Sequence, residues 1–83
     1  MGMRQLTVQV PEQVILAEKT DEASFSRELL MLAAVKLYEL GRLSSGRAAE
    51  LAGISHVEFL LSLGRYKVFL LEAELRDLEK SYA

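Results

Sequence analysis

The stretch LSSGRAAELAGISHVEFLLSL, residues 43–63, is typical of two short helices joined by a tight turn. Ser44 or Ser45 is placed to cap the first helix, whose alanines allow another helix to approach closely. Gly53 can adopt the positive φ that ends a helix. A helix, a short turn beginning at glycine and a second helix form the helix-turn-helix unit, whose second helix enters the major groove in DNA-binding proteins. The spacing predicts this unit over residues 44–64.

The second short helix is marked both at its start and along its inner face. Ser55 and Glu58 form the S-x-x-E pattern of a capping box. Ile54 is expected to point into the corner between the helices, and Phe59 and Leu63 are spaced four apart, so they share one face of a helix. We expect these apolar residues to close the core of the unit.

Two strands and two further helices are predicted outside this unit. Residues 4–10 alternate apolar and polar side chains, which is the pattern of a half-buried strand. Pro11 stops that strand and suits the first turn of a short helix over residues 11–18. The sequence RYKVFLL, residues 65–71, predicts a second strand, and residues 72–82 a charged C-terminal helix.

A long helix precedes the opening stretch. Asp21 or Ser24 can cap it, and Gly41 is a natural left-handed stop. Residues 29–35 are apolar on nearly every side, so this helix is either wrapped by the rest of the domain or shared between subunits. The predicted fold class is mainly α: a single small helical domain, residues 1–83, with a helix-turn-helix and one or two short β-strands, assembled as a homodimer.

Composition restricts the function. The 83 residues include no cysteine and carry a net charge of -2. Absence of cysteine excludes disulfides and thiolate metal sites, and we expect neither metal nor cofactor in a cytoplasmic protein. The longest apolar run, residues 29–35, is too short to span a membrane. The chain also lacks a second histidine, a glycine-rich phosphate loop and an H-E-x-x-H pair, so we expect no enzymatic activity.

The charge pattern favours a local contact with DNA. Residues 40–68 have a net charge of +2, whereas the whole chain is acidic, and the acidic balance argues against non-specific coating of nucleic acid. The second helix of the helix-turn-helix, which would be the reading helix, offers few side chains that can hydrogen-bond to base edges. The candidate DNA-binding residues are Arg42, Arg47, Ser55, His56, Arg65 and Lys67. In the alternative interpretation the cations are ordinary solvated charges and the histidine is an exposed turn residue.

The segment LAAVKLYELGRLSSGRAAELAGISHVEFL, residues 32–60, resembles the UPF0175 family of small prokaryotic proteins. The shared features are a leucine- and alanine-rich helix, a Gly-basic-Leu-Ser-x-Gly-basic-Ala-Ala run and an Ala-Gly-Ile-Ser turn. The resemblance implies an antitoxin-type regulator that neutralises a PIN-domain ribonuclease and represses its own promoter by binding operator DNA.

The tail, residues 66–83, is the candidate toxin-binding segment. A PIN nuclease holds its metal with carboxylates, so an inhibitor should combine apolar anchors with a cation that sits over the acidic pocket. The cation is Arg76 or Lys80, and the anchors are Phe69, Leu70, Leu75 and Leu78. A simple amphipathic helix that closes the core is the alternative for this tail.

A second function class also fits the sequence. Leu60 and Leu61 are expected on the outer face of the reading helix, where exposed leucines favour a protein partner as readily as a DNA groove. In that case the chain is a helical interaction or oligomerisation module that does not bind DNA, and the helix-turn-helix is purely structural.

We predict that Arg76→Glu weakens inhibition of a cognate PIN-type nuclease, because the substitution places a carboxylate against the acidic pocket. An RNA cleavage assay with increasing amounts of the variant measures the effect. Inhibition equal to that of the unsubstituted protein would remove Arg76 from the mechanism.

Overall fold

The structure, a computed structural model, describes residues 2–68 of the chain. This part contains four α-helices, α1 (Glu12–Ala17), α2 (Glu22–Glu39), α3 (Ser45–Ala52) and α4 (His56–Ser62), and then a 3-10 helix, Leu63–Tyr66. The mainly helical fold class is therefore confirmed. Over these residues no helix is long and apolar enough to cross a bilayer.

Both ends of α2 lie where the sequence placed them. The Asp21 carboxylate accepts a 2.7 Å hydrogen bond from the backbone N–H of Ser24. That hydrogen bond lowers the pKa of Asp21 below its ordinary value of 3.8, so the cap stabilises the helix at neutral pH and is lost as the pH falls through the lowered pKa. At the other end Gly41 has φ 75°, and the N–H of Arg42 returns to the carbonyl of Leu37 at 2.9 Å.

The two short helices also begin and end as predicted. Ser44, and not Ser45, caps α3 by accepting from the backbone N–H of Arg47. Gly53 ends α3 with φ 76°, which a side chain would make costly. Ser55 then caps α4. The local signals were sufficient here because each cap is a contact between residues close in sequence.

The core lies where the end of α2, α3, α4 and the 3-10 helix meet. Its members are hydrophobic side chains that are at most 5 % exposed. They are Ala34, Val35, Tyr38, Ala48, Ala49, Phe59, Leu60 and Leu63. The Tyr38 and Phe59 rings pack edge to face with centroids 5.7 Å apart. Because the α3 positions beneath them are alanines, the three helices approach closely.

The strand predicted over residues 4–10 does not form in the single chain. This segment is coil, and Leu6 and Val8 are 84 % and 68 % exposed. A strand is completed by hydrogen bonds to another strand, and no strand occurs within residues 2–68 to provide them. The short helix predicted next is confirmed as α1, with Pro11 as its N-cap.

The strand predicted over residues 65–71 is corrected at its start. Arg65 and Tyr66 belong to the 3-10 helix, and Lys67 has a left-handed φ of 57°. The apolar run was not decisive, because Leu63 is buried in the helical core and carries the following residues into a helical turn. The rest of this strand and the C-terminal helix lie outside the described residues.

We expect Phe59→Ala to destabilise the protein by about 3–5 kcal/mol, because it removes a fully buried ring and leaves a cavity between three helices. Urea denaturation followed by circular dichroism measures the change. Leu61→Ala is the matched control on the same helix. Leu61 is 63 % exposed, so its truncation should change stability by no more than about 0.5 kcal/mol. Equal losses in the two variants would contradict the assignment of the core.

Candidate nucleic-acid interface

The end of α2, α3 and α4 form a three-helix unit with the order of a helix-turn-helix domain. Contacts join α2 to α3 and α3 to α4. The turn between α3 and α4 comprises residues 53–55 and contains the left-handed Gly53. In DNA-binding proteins of this class the last of the three helices lies in the major groove. Here that helix is α4.

A hydrogen bond between side chains fixes α4 to α3. The Oγ of Ser45 lies 2.5 Å from Nε2 of His56, so the first residue of one helix is bonded to the first residue of the other. Ser45 is 1 % exposed, whereas the His56 ring remains accessible. This bond joins residues eleven apart in sequence. It sets the start of α4 relative to α3, and the sequence patterns did not predict it.

This contact changes the role available to His56. One ring nitrogen is engaged within the domain, so a DNA contact of this residue would have to use another part of the ring. Ser55, the other candidate at the start of α4, also uses its hydroxyl internally, accepting from the backbone N–H of Glu58 at 3.1 Å. Both residues therefore position the helix.

The outer face of α4 differs from the one expected. Leu60 is 4 % exposed and belongs to the core, so its assignment to a partner-binding surface is wrong. Leu61 is exposed as predicted. The reason is geometric: α4 packs on α3 and on the 3-10 helix, and its Phe59 ring also meets Tyr38 of α2, so adjacent positions are buried in place of a single narrow stripe.

The exposed chemistry of α4 is apolar and acidic. Val57 is half-buried, Glu58 and Leu61 are exposed, and Ser62 is half-buried. The Ser62 hydroxyl donates to the carbonyl of Glu58 at 2.7 Å and accepts from Arg65 at 3.2 Å. Within residues 2–68 the Glu58 carboxylate has no ion pair, and the helix presents it between apolar groups.

The four candidate cations are exposed and lie at helix ends. Arg42 is in the turn between α2 and α3, and Arg47 is in the first turn of α3. Arg65 and Lys67 follow α4, with the Arg65 guanidinium 6.0 Å from the centroid of the Tyr66 ring. All four are accessible to a ligand, and all flank the two helices of the motif.

These cations differ in their partners. Arg47 pairs with Glu50 at 2.9 Å, and both side chains are more than 60 % exposed. Such a surface pair stabilises by less than about 1 kcal/mol, so a phosphate can replace the carboxylate at little cost. Over residues 2–68, Arg42 and Lys67 have no ion pair. These two side chains therefore need not break an ion pair within that part of the chain.

The remaining predicted partner-binding residues, Phe69, Leu70, Leu75, Arg76 and Leu78, lie outside the described residues. Leu61 is therefore the member of that set whose exposure the structure establishes.

Comparison with family models gives a match over residues 1–83 to the uncharacterised protein family UPF0175. The chain belongs to UPF0175. The resemblance carried by residues 32–60 thus extends over the entire chain. No curated protein and no solved structure matched it. In this UPF0175 protein the segment quoted for the resemblance, residues 32–60, coincides with most of the three-helix unit.

We predict that Ser45→Ala destabilises the UPF0175 protein by about 1 kcal/mol, because it removes a hydrogen bond from a buried site. In a His56→Ala background the same substitution should cost less, with a coupling energy of about 0.5–1.5 kcal/mol. Urea denaturation of the four proteins of this cycle gives the value.

Ser44→Ala is the matched control, since this neighbouring serine caps α3 without contacting His56. Its cost should be the same with and without His56. A coupling near zero for Ser45 would contradict the role of this bond in fixing α4.

Proposed function

We propose that this UPF0175 protein is a non-enzymatic, DNA-binding regulator of antitoxin type that acts as a homodimer. The observation that supports it best is the three-helix unit in which α4 is capped by Ser55 and tied to α3 through His56. A reading helix must be held in place before it meets DNA, because ordering it on binding would reduce affinity.

The backbone contacts in this proposal come from the four exposed cations at the helix ends. Arg42 and Lys67 contact phosphates directly, while Arg47 exchanges Glu50 for a phosphate. Arg65, bonded to Ser62 at the end of α4, anchors the far end of the reading helix. Such contacts fix the orientation of the protein on the duplex and make binding sensitive to salt.

Base recognition in this proposal uses the groups that α4 exposes. A carboxylate accepts a hydrogen bond from the N4 amino group of cytosine, and apolar side chains contact the methyl group of thymine. Glu58 is suited to the first contact, and Leu61 and Val57 are suited to the second. We expect an operator in which thymines flank a cytosine on the strand that faces α4.

Neutralisation of a toxin is the second half of the proposal. The residues assigned to it are those of the tail, beyond Val68. This assignment follows what the resemblance to UPF0175 implies. An inhibitory tail and a DNA-binding unit on separate parts of one chain would allow both activities at once.

The alternative, an interaction module that does not bind DNA, is favoured by one observation. Leu61 is 63 % exposed in the last turn of α4, where an apolar partner could contact it. Leu60 no longer supports this alternative, because its side chain is buried. The two functions differ in salt dependence, since an apolar interface persists at salt concentrations that release a protein from phosphates.

We expect Arg47→Glu to weaken binding to the DNA upstream of the gene by about tenfold or more, because it replaces an attraction for phosphate by a repulsion. Lys67→Glu should have a similar effect. Fluorescence anisotropy with a labelled duplex, repeated at several salt concentrations, measures both the affinity and its dependence on salt.

Lys19→Glu is the matched control for Lys67→Glu. Both lysines are exposed and have a left-handed φ, 53° at Lys19 and 57° at Lys67, but Lys19 lies in the turn after α1, outside the helix-turn-helix. The control should bind DNA normally. Equal weakening by the two lysine variants would show that only net charge matters and would overturn the assigned DNA face.

A further inference from the structure

Exposed apolar side chains are concentrated in the first half of the chain. Leu6 and Val8 are 84 % and 68 % exposed, and Leu29, Leu30 and Leu32 on α2 are each at least 40 % exposed. By contrast, the eight hydrophobic residues of the core all lie between residues 34 and 63. The chain therefore buries one half well and leaves a contiguous apolar surface uncovered on the other.

Helix α2 has two apolar faces that serve different halves of the molecule. Met31, Val35 and Tyr38, spaced i, i+4, i+7, face the core. Phe25, Leu29 and Leu32 repeat the same spacing on a second side of the helix, about 120° around from the first. A helix that is apolar on both sides needs a second packing partner, which α1 and residues 4–10 supply only in part.

An open groove lies along this second face. Residues 5–8 and Val10 line it from one segment of the chain, Phe25, Leu29 and Leu30 line it from α2, and Ile15 lines it from α1. The segment of residues 5–10 is coil, and within residues 2–68 no hydrogen bond is made by its backbone. The groove is thus bordered by a segment that has the sequence pattern of a strand but, within residues 2–68, has no other strand to pair with.

We propose that residues 4–10 of two copies of this chain pair as antiparallel strands about a two-fold axis through Thr7, and that this pairing closes the groove. It rests on the proposed function in that it names the surface through which the regulator becomes a dimer. DNA contacts do not enter the argument.

The sequence of the segment fits a second copy of itself. In an antiparallel pair, opposed residues lie on the same face, so apolar side chains meet apolar ones only if the axis passes through a residue. With the axis at Thr7, Leu6 of one copy lies opposite Val8 of the other, and Gln5 lies opposite Gln9. Apart from Arg4 the segment is uncharged, so two copies pair with little repulsion.

Pro11 favours this register over a later one. If the axis passed through Val8, Pro11 would lie opposite Gln5, inside the ladder, and its missing N–H would cost a hydrogen bond. An axis at Thr7 places it just beyond the paired residues. The two copies then bring their apolar walls together, so Leu6 and Val8 lose their contact with water.

The test uses single cysteines, which are unambiguous because the chain contains none. Thr7→Cys should form a covalent dimer under mild oxidation, since residues on the axis lie within about 5.5 Å of each other between Cα atoms. Gln5→Cys and Gln9→Cys should not cross-link with themselves, because four residues along a strand separate the two thiols by about 13 Å. A mixture of these two variants should cross-link.

Each other outcome overturns the proposal. Equal cross-linking of all three variants indicates random collision, and a dimer in sedimentation equilibrium without cross-linking at Thr7 indicates another interface. A monomer indicates that the groove is covered by the chain's own tail or by a different protein.

A second variant tests the pairing without introducing a thiol. Thr7→Pro removes a backbone N–H and should raise the dissociation constant of the dimer by about tenfold or more. The helical signal in circular dichroism should stay unchanged, because residues 4–10 contribute nothing to the helical core. A Thr7→Pro variant whose dimer is undiminished would contradict the pairing. A Thr7→Cys variant that cross-links but does not bind DNA would count against the proposed function alone.

Discussion

The structure depends on the contact between Tyr38 and Phe59, made where α2 crosses α4. The rings meet edge to face, and α3 contributes the methyl groups of Ala48 and Ala49 to the same core. Two large residues supply apolar area, and two small ones set the distance between helices. A larger residue at either fully packed α3 position would overpack this core, at a typical cost of about 1–3 kcal/mol.

This contact divides the chain into two parts with different physical characters. All eight core side chains lie from Ala34 to Leu63, and the N-caps of α3 and α4 are satisfied, so this unit holds α4 in a fixed position. Before Ala34 the apolar residues remain accessible in a single copy. In a domain of this size a single core seldom stabilises every element, and association is a common solution. We infer that the part from Ala34 to Leu63 recognises DNA and that the part before it forms the dimer interface.

Prediction from sequence succeeded for contacts that are local. Asp21, Ser55 and Gly53 act within three or four residues of themselves, so their positions could be assigned from spacing alone. The strand predicted at residues 4–10 is not confirmed: the segment is coil, and spacing alone does not reveal the partner that a strand needs for pairing. Prediction failed for Leu60: a helix that packs on two neighbours buries a wider face than a simple periodicity implies.

The sequence by itself determined the helices, the turn at Gly53 and the positive charge around the motif, because propensity, caps and charge are properties of neighbouring residues. Only the tertiary structure decided which side chains remain available for function. In the folded chain Ser45 is hydrogen-bonded to His56, Arg47 is paired with Glu50, and Leu60 is buried. Except for the Arg47–Glu50 pair, these outcomes depend on how helices cross, and that angle is fixed by the fit of Tyr38 and Phe59 over small residues far away in sequence.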